Sequence, residues 1–413
     1  MVVVAHPFGN ANVRAVVNAL NTSGSLARFI TTIGWSRSAA WLQLLPSLVT
    51  RRLERRSYDL PPDKIETHML REFVRLAAGA TQSRRLIQHE RGWASIDSVW
   101  LELDHRAAAY LRAHRQENLI DIAYGYEDCA EQFFTAALEV GVRRAYDLPI
   151  AYWETAQRLL REEAERYPRW KMTLSGMRDS PEKLERKTRE LELAELVLCP
   201  SKFVYESLPH EVQRTKKCVV VPFGSPEIAE SVAVQSTGDR PLRVLFAGAL
   251  TQRKGLADLF AAMKLVQSAN VELVVMGSLL QPLESYRREY AQFRYEQPRP
   301  HAEVLRLMQS CDVLVLPSIV EGRALVQQEA MASGLPVIAT RNAGADDLIE
   351  QGVTGFVVPI RSPEAIAEKI EWCAANRTAL RGMGIAAQKR ARQFTWASYG
   401  EQVLAALQSL QRT

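Results

Sequence analysis

The chain of 413 residues has few cysteines and no long apolar run. Its five cysteines are odd in number, and no two of them have the C-x-x-C spacing of a zinc or redox site. A disulfide framework is therefore not indicated, and a reducing cytoplasm fits best. No stretch approaches 18 consecutive apolar residues, which predicts that nothing spans a membrane. Residues 1–6 are too short and too uncharged for a signal peptide and are typical of a first strand.

A strong charge of either sign is also missing, since the formal net charge is +5. This mildly basic balance argues against a dedicated nucleic-acid binder. It suits a diphosphate ligand or an anionic membrane surface, and it equally suits solubility without a specific partner. Residues 41–56 mix apolar side chains with four arginines, at 51, 52, 55 and 56. This segment is expected either to rest on an anionic membrane or to pack on its own domain.

The C-terminal half alternates short apolar runs with helix-like stretches. The runs that predict strands cover residues 242–247, 271–276, 312–316, 336–340 and 355–359. Helical patterns cover residues 256–268, 302–309 and 324–332. Strands that are apolar on both faces and alternate with helices indicate a parallel sheet covered by helices. The pattern predicts a doubly wound α/β domain over residues 241–395, with its ligand at the carboxyl ends of the strands.

The N-terminal half predicts a second α/β domain over residues 1–225. Strands are expected at 2–5, 120–123, 149–152, 196–199 and 218–221, with a helical insertion over about 35–115. Ser180 and Pro181 predict the start of a helix, with serine as its cap. Residues 226–240 are polar and irregular and are expected to form the linker. Residues 396–413 predict an amphipathic helix that returns to the N-terminal domain.

Two glutamates lie eight residues apart in a strand–loop–helix segment, residues 318–336, SIVEGRALVQQEAMASGLP. A helix that starts near Glu321 and Gly322 offers free N–H groups that can hold a phosphate. Glu329 would then lie roughly 12 Å along the axis and about 80° around it. Two carboxylates so placed can accept hydrogen bonds from hydroxyls at both ends of a nucleotide sugar. The alternative is a pair of surface glutamates on an amphipathic helix.

This segment resembles the Glu-x7-Glu motif of glycosyltransferase family 4, S-x-x-E-G-F-G-x-x-x-x-E-A-x-A-x-G-x-P-V, with Arg323 and Ala324 in place of Phe-Gly. The resemblance implies the GT-B fold, which has two Rossmann-like doubly wound domains facing an interdomain cleft. It also implies transfer with retention at the anomeric carbon. Glu321 would hold hydroxyls of the donor sugar and Glu329 would hold the ribose.

Two further segments are similar to motifs of that family. Residues 246–255, FAGALTQRKG, look like F-x-G-R-L-x-x-x-K-G, in which the arginine and the lysine bind the diphosphate. Lys254 matches the lysine, Ala249 replaces the arginine, and Arg253 is expected to compensate because a guanidinium binds phosphate bidentately. Residues 342–359 resemble the segment whose glycine, here Gly344, lines the phosphate end of the cleft. Asp347 stands there where glutamate is usual, or is simply an acid at a helix start.

The acceptor side is predicted from the loops that follow the N-terminal strands. His6 is a candidate general base because histidine titrates near neutral pH. Many members of the family carry a histidine after a later strand, and Glu127 or Tyr126 is expected to replace it here. The loop after the first strand is alternatively a turn with a helix cap built from Asn and Gly. The predicted acceptor-binding residues are Gly9, Asn10, Asn12, Arg14 and Tyr126.

The complete prediction is a retaining, metal-independent glycosyltransferase of the hexosyltransferase type, without a cofactor. It would move a sugar from a UDP- or GDP-linked donor to a sugar or lipid-linked acceptor in surface polysaccharide or glycoconjugate synthesis, in the cytoplasm or at the inner face of the membrane. A phosphorylase, a nucleotide-sugar epimerase and a non-catalytic sugar-nucleotide-binding protein stay open, whereas a dehydrogenase lacks its G-x-G-x-x-G. The predicted catalytic residues are Glu321, Lys254, Arg253, His6 and Glu127. The predicted donor-binding residues are Gly248, Lys254, Gly322, Arg323, Ala324, Leu325, Glu329, His301 and Gly344.

Overall fold

The computed structural model describes residues 1–38, 56–81, 83–116, 119–226 and 240–411. The strands in these ranges are β1 Val2–Ala5, β2 Leu26–Thr31, β3 Trp35–Ser36, β4 Ser57–Tyr58, β5 Ile65–Thr67, β6 Ile122–Tyr126, β7 Arg143–Asp147, β8 Leu196–Cys199, β9 Lys217–Val220, β10 Leu242–Ala247, β11 Val271–Met276, β12 Phe293–Glu296, β13 Val313–Leu316, β14 Val337–Thr340 and β15 Gly355–Val358. The helices are α1 Ala11–Thr22, α2 Leu70–Ala80, α3 Ile96–Ala113, α4 Glu131–Glu139, α5 Trp153–Arg166, α6 Pro181–Leu193, α7 Lys202–Ser207, α8 His210–Thr215, α9 Leu256–Leu265, α10 Leu283–Glu289, α11 His301–Gln309, α12 Leu325–Ala332, α13 Pro363–Ala375, α14 Arg377–Ala391 and α15 Trp396–Gln411.

Two parallel sheets organise the chain. The first has the order β5-β2-β1-β6-β7-β8-β9 and the second has the order β12-β11-β10-β13-β14-β15. Counted within the second sheet, its order is 3-2-1-4-5-6, the arrangement of a doubly wound dinucleotide-binding domain. Helices cover both sheets, as the apolar strands require. The prediction of two α/β domains with parallel sheets is confirmed, and the strands predicted in the C-terminal half are found within one residue at each end.

Several predicted elements of the N-terminal half are wrong. The helical insertion expected over about 35–115 contains strand β5 as well as helices α2 and α3. Strand β2 was not predicted, and neither was β12 in the C-terminal half. The strand expected at 149–152 lies earlier, at Arg143–Asp147, and residues 149–152 lead into α5. Strand β7 begins with two arginines, so it lacks the apolar run that would have indicated it. Arg143 and Arg144 pair with Glu195 at 2.8 and 3.0 Å.

The two domains exchange segments. Between α5 and α6, the chain crosses to the C-terminal domain, where the Trp170 ring packs on Phe260 and Tyr286 with centroid distances of 5.9 and 5.4 Å. In the other direction, α15 packs against α1, and its Tyr399 and Leu407 join the N-terminal core. These crossings fix the domains against each other around the carboxyl ends of both sheets.

The residues expected to form the linker, 226–240, lie almost entirely outside the described ranges. So do residues 41–55 of the segment expected on a membrane, whereas Arg56 is described. Within the described ranges, every helix is too short or too polar to cross a bilayer. All five cysteines are free thiols, as their spacing predicts.

Candidate active site

Glu321 lies in the loop after β13 and is held by two cations from another loop. Its Oε1 lies 2.5 Å from Lys254 Nζ and 3.1 Å from Arg253 Nη1. Burial opposes the charged form of this carboxyl, but the two cations outweigh it, so the pKa of Glu321 lies below its usual value. The acid is therefore ionised at neutral pH, with two cations beside it.

Lys254 and Arg253 belong to a short 3-10 turn, Gln252–Lys254, after β10. The Thr251 hydroxyl accepts a hydrogen bond from the Arg253 N–H at 3.1 Å and starts this turn. Arg253 Nη1 also donates to the Val320 carbonyl at 2.9 Å, which ties the turn to the loop that carries Glu321. The proximity of the three predicted catalytic side chains thus results from two neighbouring strand ends of one parallel sheet.

Gly248 makes room for the lysine. Its φ is +145°, and a Cβ at this position would lie 2.9 Å from Cδ of Lys254. A larger residue would push the lysine aside, so the glycine permits the ammonium group to reach Glu321. The predicted donor-binding residues Gly248 and Lys254 therefore lie together.

The loop of Glu321 also touches the N-terminal domain. A Cβ on Gly322 would lie 1.8 Å from the carbonyl oxygen of Pro149. The Ala151 N–H points to the Glu321 carbonyl at 3.4 Å, and the Ser201 hydroxyl donates to the Gly322 carbonyl at 2.7 Å. Gly344 lies beside the same carbonyl, since its Cβ would be 3.0 Å away. The candidate site is thus at the contact between the domains.

A second pair of predicted residues also meets. His301, at the start of α11, has Nε2 at 3.1 Å from Oε1 of Glu329 in α12. The imidazole is 56% exposed and the carboxylate 22%. Both groups are therefore accessible to a ligand that lies along the carboxyl ends of the C-terminal strands.

The helix after Glu321 starts later than predicted. It begins at Leu325, not near Glu321 and Gly322, so the helical spacing between the two glutamates does not hold for its first residues. The Ala324 N–H donates to the Ala343 carbonyl at 3.2 Å and Leu325 packs against the N-terminal core. The predicted phosphate contact of the Ala324 amide is corrected accordingly, because this N–H is already bonded to a carbonyl. The contact predicted for the Leu325 amide stays a prediction.

The side chain of Arg323, a predicted donor-binding residue, points into the C-terminal domain. It is 3% exposed, and its Nη1 lies 2.7 Å from both carboxylate oxygens of Asp347. The guanidinium also lies over the Phe394 ring, 4.9 Å from the centroid. The two changes from the family motif, Arg323 and Asp347, thus compensate each other inside the C-terminal domain.

On the acceptor side, the structure corrects three predictions. His6 is 3% exposed among the rings of Phe8, Trp100 and Tyr126, and burial lowers its pKa to about 3, which leaves it a poor base at neutral pH. Tyr126 is buried as well, so it cannot contact an acceptor. Glu127 is buried and pairs with Lys187 at 3.3 Å.

The loop after β1 retains part of its predicted character. The Arg14 side chain donates from Nε to the Gly9 carbonyl at 2.9 Å and lies over the Tyr58 ring. Asn10 is exposed just before α1, and its side chain makes no capping bond. Asn12 is nearly buried within α1. Asn10 is therefore the most accessible of the predicted acceptor contacts in this loop.

Sequence reasoning missed the residue that anchors the cationic turn. Gln252 is fully buried, and its Nε2 donates to Glu163 at 2.6 Å and to Asp258 at 2.7 Å. Its Oε1 accepts from the Ala257 N–H at 2.8 Å. Glu163 comes from α5 of the other domain, 89 positions away, so no local pattern could have indicated this contact. The single sign of this anchor in the sequence was that position 252, between Thr251 and Arg253, is a polar residue.

Two Rossmann-like domains that meet around the carboxyl ends of their parallel sheets form the GT-B fold. Residues 227–390 match the family model described as glycosyl transferases group 1.

Known relatives and solved structures are similar to the chain to different extents. The D-inositol 3-phosphate glycosyltransferase of Corynebacterium diphtheriae is 36% identical over 110 residues, which are 27% of this chain and 26% of that protein. The putative colanic acid biosynthesis glycosyltransferase WcaL of Salmonella typhimurium is 29% identical over 143 residues, 32% of this chain and 35% of that protein. The chain thus aligns with only about a quarter to a third of these relatives' length.

The solved structures extend the likeness to the whole fold. Sucrose-phosphate synthase from Thermosynechococcus elongatus superposes with a TM-score of 0.67 at 17% identity, covering 100% of this chain and 99% of that one. Anabaena HepE in complex with UDP has a TM-score of 0.62 at 16% identity, covering 99% of both chains. At such identities the likeness establishes the GT-B fold of both domains.

Proposed function

We propose that this protein is a glycosyltransferase that moves a sugar from a nucleotide-diphosphate donor to a hydroxyl acceptor. The observation that carries the proposal is the Glu321 carboxylate, held by Lys254 and Arg253 where the C-terminal domain meets Pro149 and Ala151 of the other domain. An ionised acid beside two cations offers acceptors for sugar hydroxyls and positive charge for a diphosphate within one small volume.

The chemistry follows from this arrangement. Lys254 and Arg253 stabilise the negative charge that develops on the leaving diphosphate, which is the largest electrostatic demand of the step. Glu321 orients the donor sugar by accepting its hydroxyl hydrogen bonds. Glu329 and His301 hold the ribose end. The acceptor attacks on the face that the diphosphate leaves, so the anomeric configuration is retained, and the protein acts mainly by positioning.

Metal independence is part of this proposal. Side-chain cations already provide the positive charge that a divalent ion would otherwise supply to the diphosphate. We expect full activity in EDTA. Strict dependence on added Mn²⁺ or Mg²⁺ would contradict this part of the mechanism.

The donor and acceptor are proposed from the relatives' names and from chemistry. UDP- or GDP-sugars are the donors to test first, and sugar or lipid-linked acceptors of surface polysaccharide synthesis are the acceptors, since one relative carries a colanic acid biosynthesis name. A reducing, cytoplasmic compartment at the inner face of the membrane is the proposed location.

The decisive experiment combines binding with turnover. A thermal-shift screen of the full chain with UDP, GDP and ADP should raise the unfolding midpoint for one base, because a ligand that binds the folded state stabilises it. The diphosphate sugar of that base should then be hydrolysed slowly without acceptor and transferred with retention when an acceptor is present, which NMR of the product reports. Binding without any turnover would favour a non-catalytic sensor, and phosphorolysis or epimerisation would favour the other GT-B enzymes.

A further inference from the structure

Helix α2 carries its apolar side chains outward. Leu70 and Phe73 are each 66% exposed and Leu76 is 45% exposed. Their spacing of three residues puts them on one face of the helix. Met69, just before the helix, is 53% exposed. An amphipathic helix of a globular protein normally turns such a face to the core, so α2 is inverted.

The charged face of α2 points inward instead. Glu72 is fully buried, and its carboxylate pairs with Arg75 at 2.6 Å and with Arg56 at 2.9 Å. Arg71 pairs with Glu102 of α3 at 3.2 Å. These ion pairs hold the helix in this orientation, so the outward apolar face is a fixed feature of the fold.

The exposed apolar face continues beyond the helix. The Arg71 guanidinium lies 5.0 Å from the centroid of the Trp93 ring, which is 47% exposed. Leu86 and Ile96 are 41% and 37% exposed, and the Leu86 carbonyl accepts from the Ala94 N–H at 2.9 Å, next to Trp93. We call this set the α2 surface: Met69, Leu70, Phe73, Leu76, Leu86, Trp93 and Ile96.

Arginines surround this surface. Residues 69–96 contain five arginines and two glutamates, a net charge of 5 − 2 = +3. Arg84, Arg85 and Arg91 are exposed. A twofold contact between two copies would bring this positive surface against itself, which is unfavourable. An anionic lipid surface offers both the apolar interior for the aromatic and leucine side chains and the opposite charge for the arginines.

We infer that the α2 surface docks the protein on an anionic membrane. The inward face of α2 lies next to the loop that follows β1, because Arg75 lies 5.7 Å from the centroid of the Phe8 ring. Docking through the opposite, outward face would therefore hold the N-terminal domain at the lipid surface. Arg56, the one described residue of the segment that the sequence predicts on a membrane, pairs with Glu72 of α2. Docking requires no donor and stands independently of the transferase activity.

The experiment is co-sedimentation of the full chain with vesicles of phosphatidylcholine, with and without phosphatidylglycerol. We expect the wild type to bind vesicles that contain phosphatidylglycerol, and salt to weaken binding because screening reduces the charge attraction. Phe73→Ser should lower the partition coefficient about tenfold, because it removes an exposed aromatic ring that would insert into the lipid. Arg84→Glu with Arg85→Glu should lower it by at least about tenfold through charge reversal.

Matched controls separate docking from folding. Ile385→Ser removes a 63% exposed apolar side chain from α14, and Arg214→Glu reverses an exposed charge on α8. Both should bind vesicles as the wild type does, and all variants should unfold at similar temperatures. The inference would be overturned if phosphatidylglycerol did not increase vesicle binding of the wild type. It would also be overturned if Phe73→Ser bound these vesicles as tightly as the wild type. A dimer that dissociates in Phe73→Ser without vesicle binding would assign the surface to a second copy instead.

Discussion

At the scale of single residues, the two glutamates of the motif have different surroundings. Glu321 is nearly buried between two cations, whereas Glu329 is more exposed and meets a histidine. The sequence motif does not reveal this difference between the surroundings of the two glutamates. The buried, charge-paired acid suits the reacting sugar, and the more accessible one suits a hydroxyl of the nucleotide.

Substitution of each glutamate should separate these tasks. Glu321→Gln keeps the size but removes the charge, and we expect kcat to fall by about 100-fold with a smaller change in donor affinity. Glu329→Ala should weaken nucleotide binding roughly tenfold or more, with a smaller effect on kcat. Steady-state kinetics and calorimetric titration measure both. Glu368→Gln, at an exposed site, is the control. Wild-type rates and affinities in both variants would refute the site.

At the scale of elements, a short turn depends on a helix of the other domain. The 3-10 turn Gln252–Lys254 is anchored by Gln252 between Glu163 of α5 and Asp258 of α9. Glu163 also pairs with Arg361. The amide has the donors that two carboxylates require, so the turn that presents Arg253 and Lys254 is positioned from both domains at once.

Gln252→Glu should therefore disturb the cationic turn. It places a third carboxylate beside Glu163 and Asp258 in a buried site, and we expect a loss of about 3–5 kcal/mol in the free energy of unfolding. Donor affinity should fall too, because Lys254 and Arg253 move with the turn. Urea unfolding and calorimetry test this. The double variant Gln252→Glu with Glu163→Gln exchanges the amide and the acid, and it should recover part of both losses. No recovery would show that the turn is positioned otherwise.

Helix α15 is joined to the N-terminal sheet by a buried acid. Asp147, at the end of β7, accepts hydrogen bonds from the hydroxyls of Tyr124 at 2.8 Å and Tyr399 of α15 at 3.3 Å. Burial raises the pKa of Asp147 to about 7, and the two hydroxyls reduce that rise. The folded state thus binds this proton more tightly than the unfolded state.

The pH dependence of Asp147→Asn follows from that shift. Between the ordinary pKa of 3.8 and about 7, the folded state holds more protons, so this group's contribution to the free energy of unfolding falls as pH rises and stays lost above about 7. Each pKa unit corresponds to about 1.4 kcal/mol. The asparagine can still accept hydrogen bonds from the two tyrosine hydroxyls, but it does not titrate. The free energy of unfolding of the variant, relative to the wild type, should therefore increase from pH 4 to pH 8 in urea unfolding. The exposed Asp63→Asn should show no such trend, and a flat difference for Asp147→Asn would contradict the assignment.

At the scale of the whole molecule, the site exists where the two domains touch. The carbonyl of Pro149 approaches Gly322 closely enough to leave no room for a side chain. The apolar residues Ala151, Phe203, Ile319 and Val320 form one cluster across the same contact. The relative position of the two domains at the site is therefore set by this interface.

Gly322→Ala tests that dependence. Its Cβ would lie 1.8 Å from the Pro149 carbonyl oxygen, so the loops must separate. We expect kcat/KM to fall by about 100-fold, because small displacements of the reacting groups are costly. Gly382→Ala adds a methyl group to α14 in open space and should leave kinetics unchanged. An active Gly322→Ala variant would show that catalysis tolerates domain separation.

The sequence predicted the C-terminal domain well and the N-terminal one poorly, for physical reasons. Strands such as β10 and β13 are buried on both faces, so their apolar runs are visible without neighbours. Strand β7 begins with two arginines, which are exposed or half-buried and pair with Glu195. A run of apolar residues indicates a strand that is buried. It does not reveal a strand whose charged residues pair with a partner distant in the sequence.

Local order along the chain thus determined the sheet of the C-terminal domain and the two segments that hold Lys254 and the pair Glu321 and Glu329. Only the tertiary structure decided that Arg323 turns inward to Asp347, that His6 is enclosed by aromatic rings, and that Gln252 reaches Glu163. The reason is that local spacing reflects backbone periodicity, whereas the partner of a buried polar group comes from whichever distant segment the sheet order and the domain contact bring within hydrogen-bond distance.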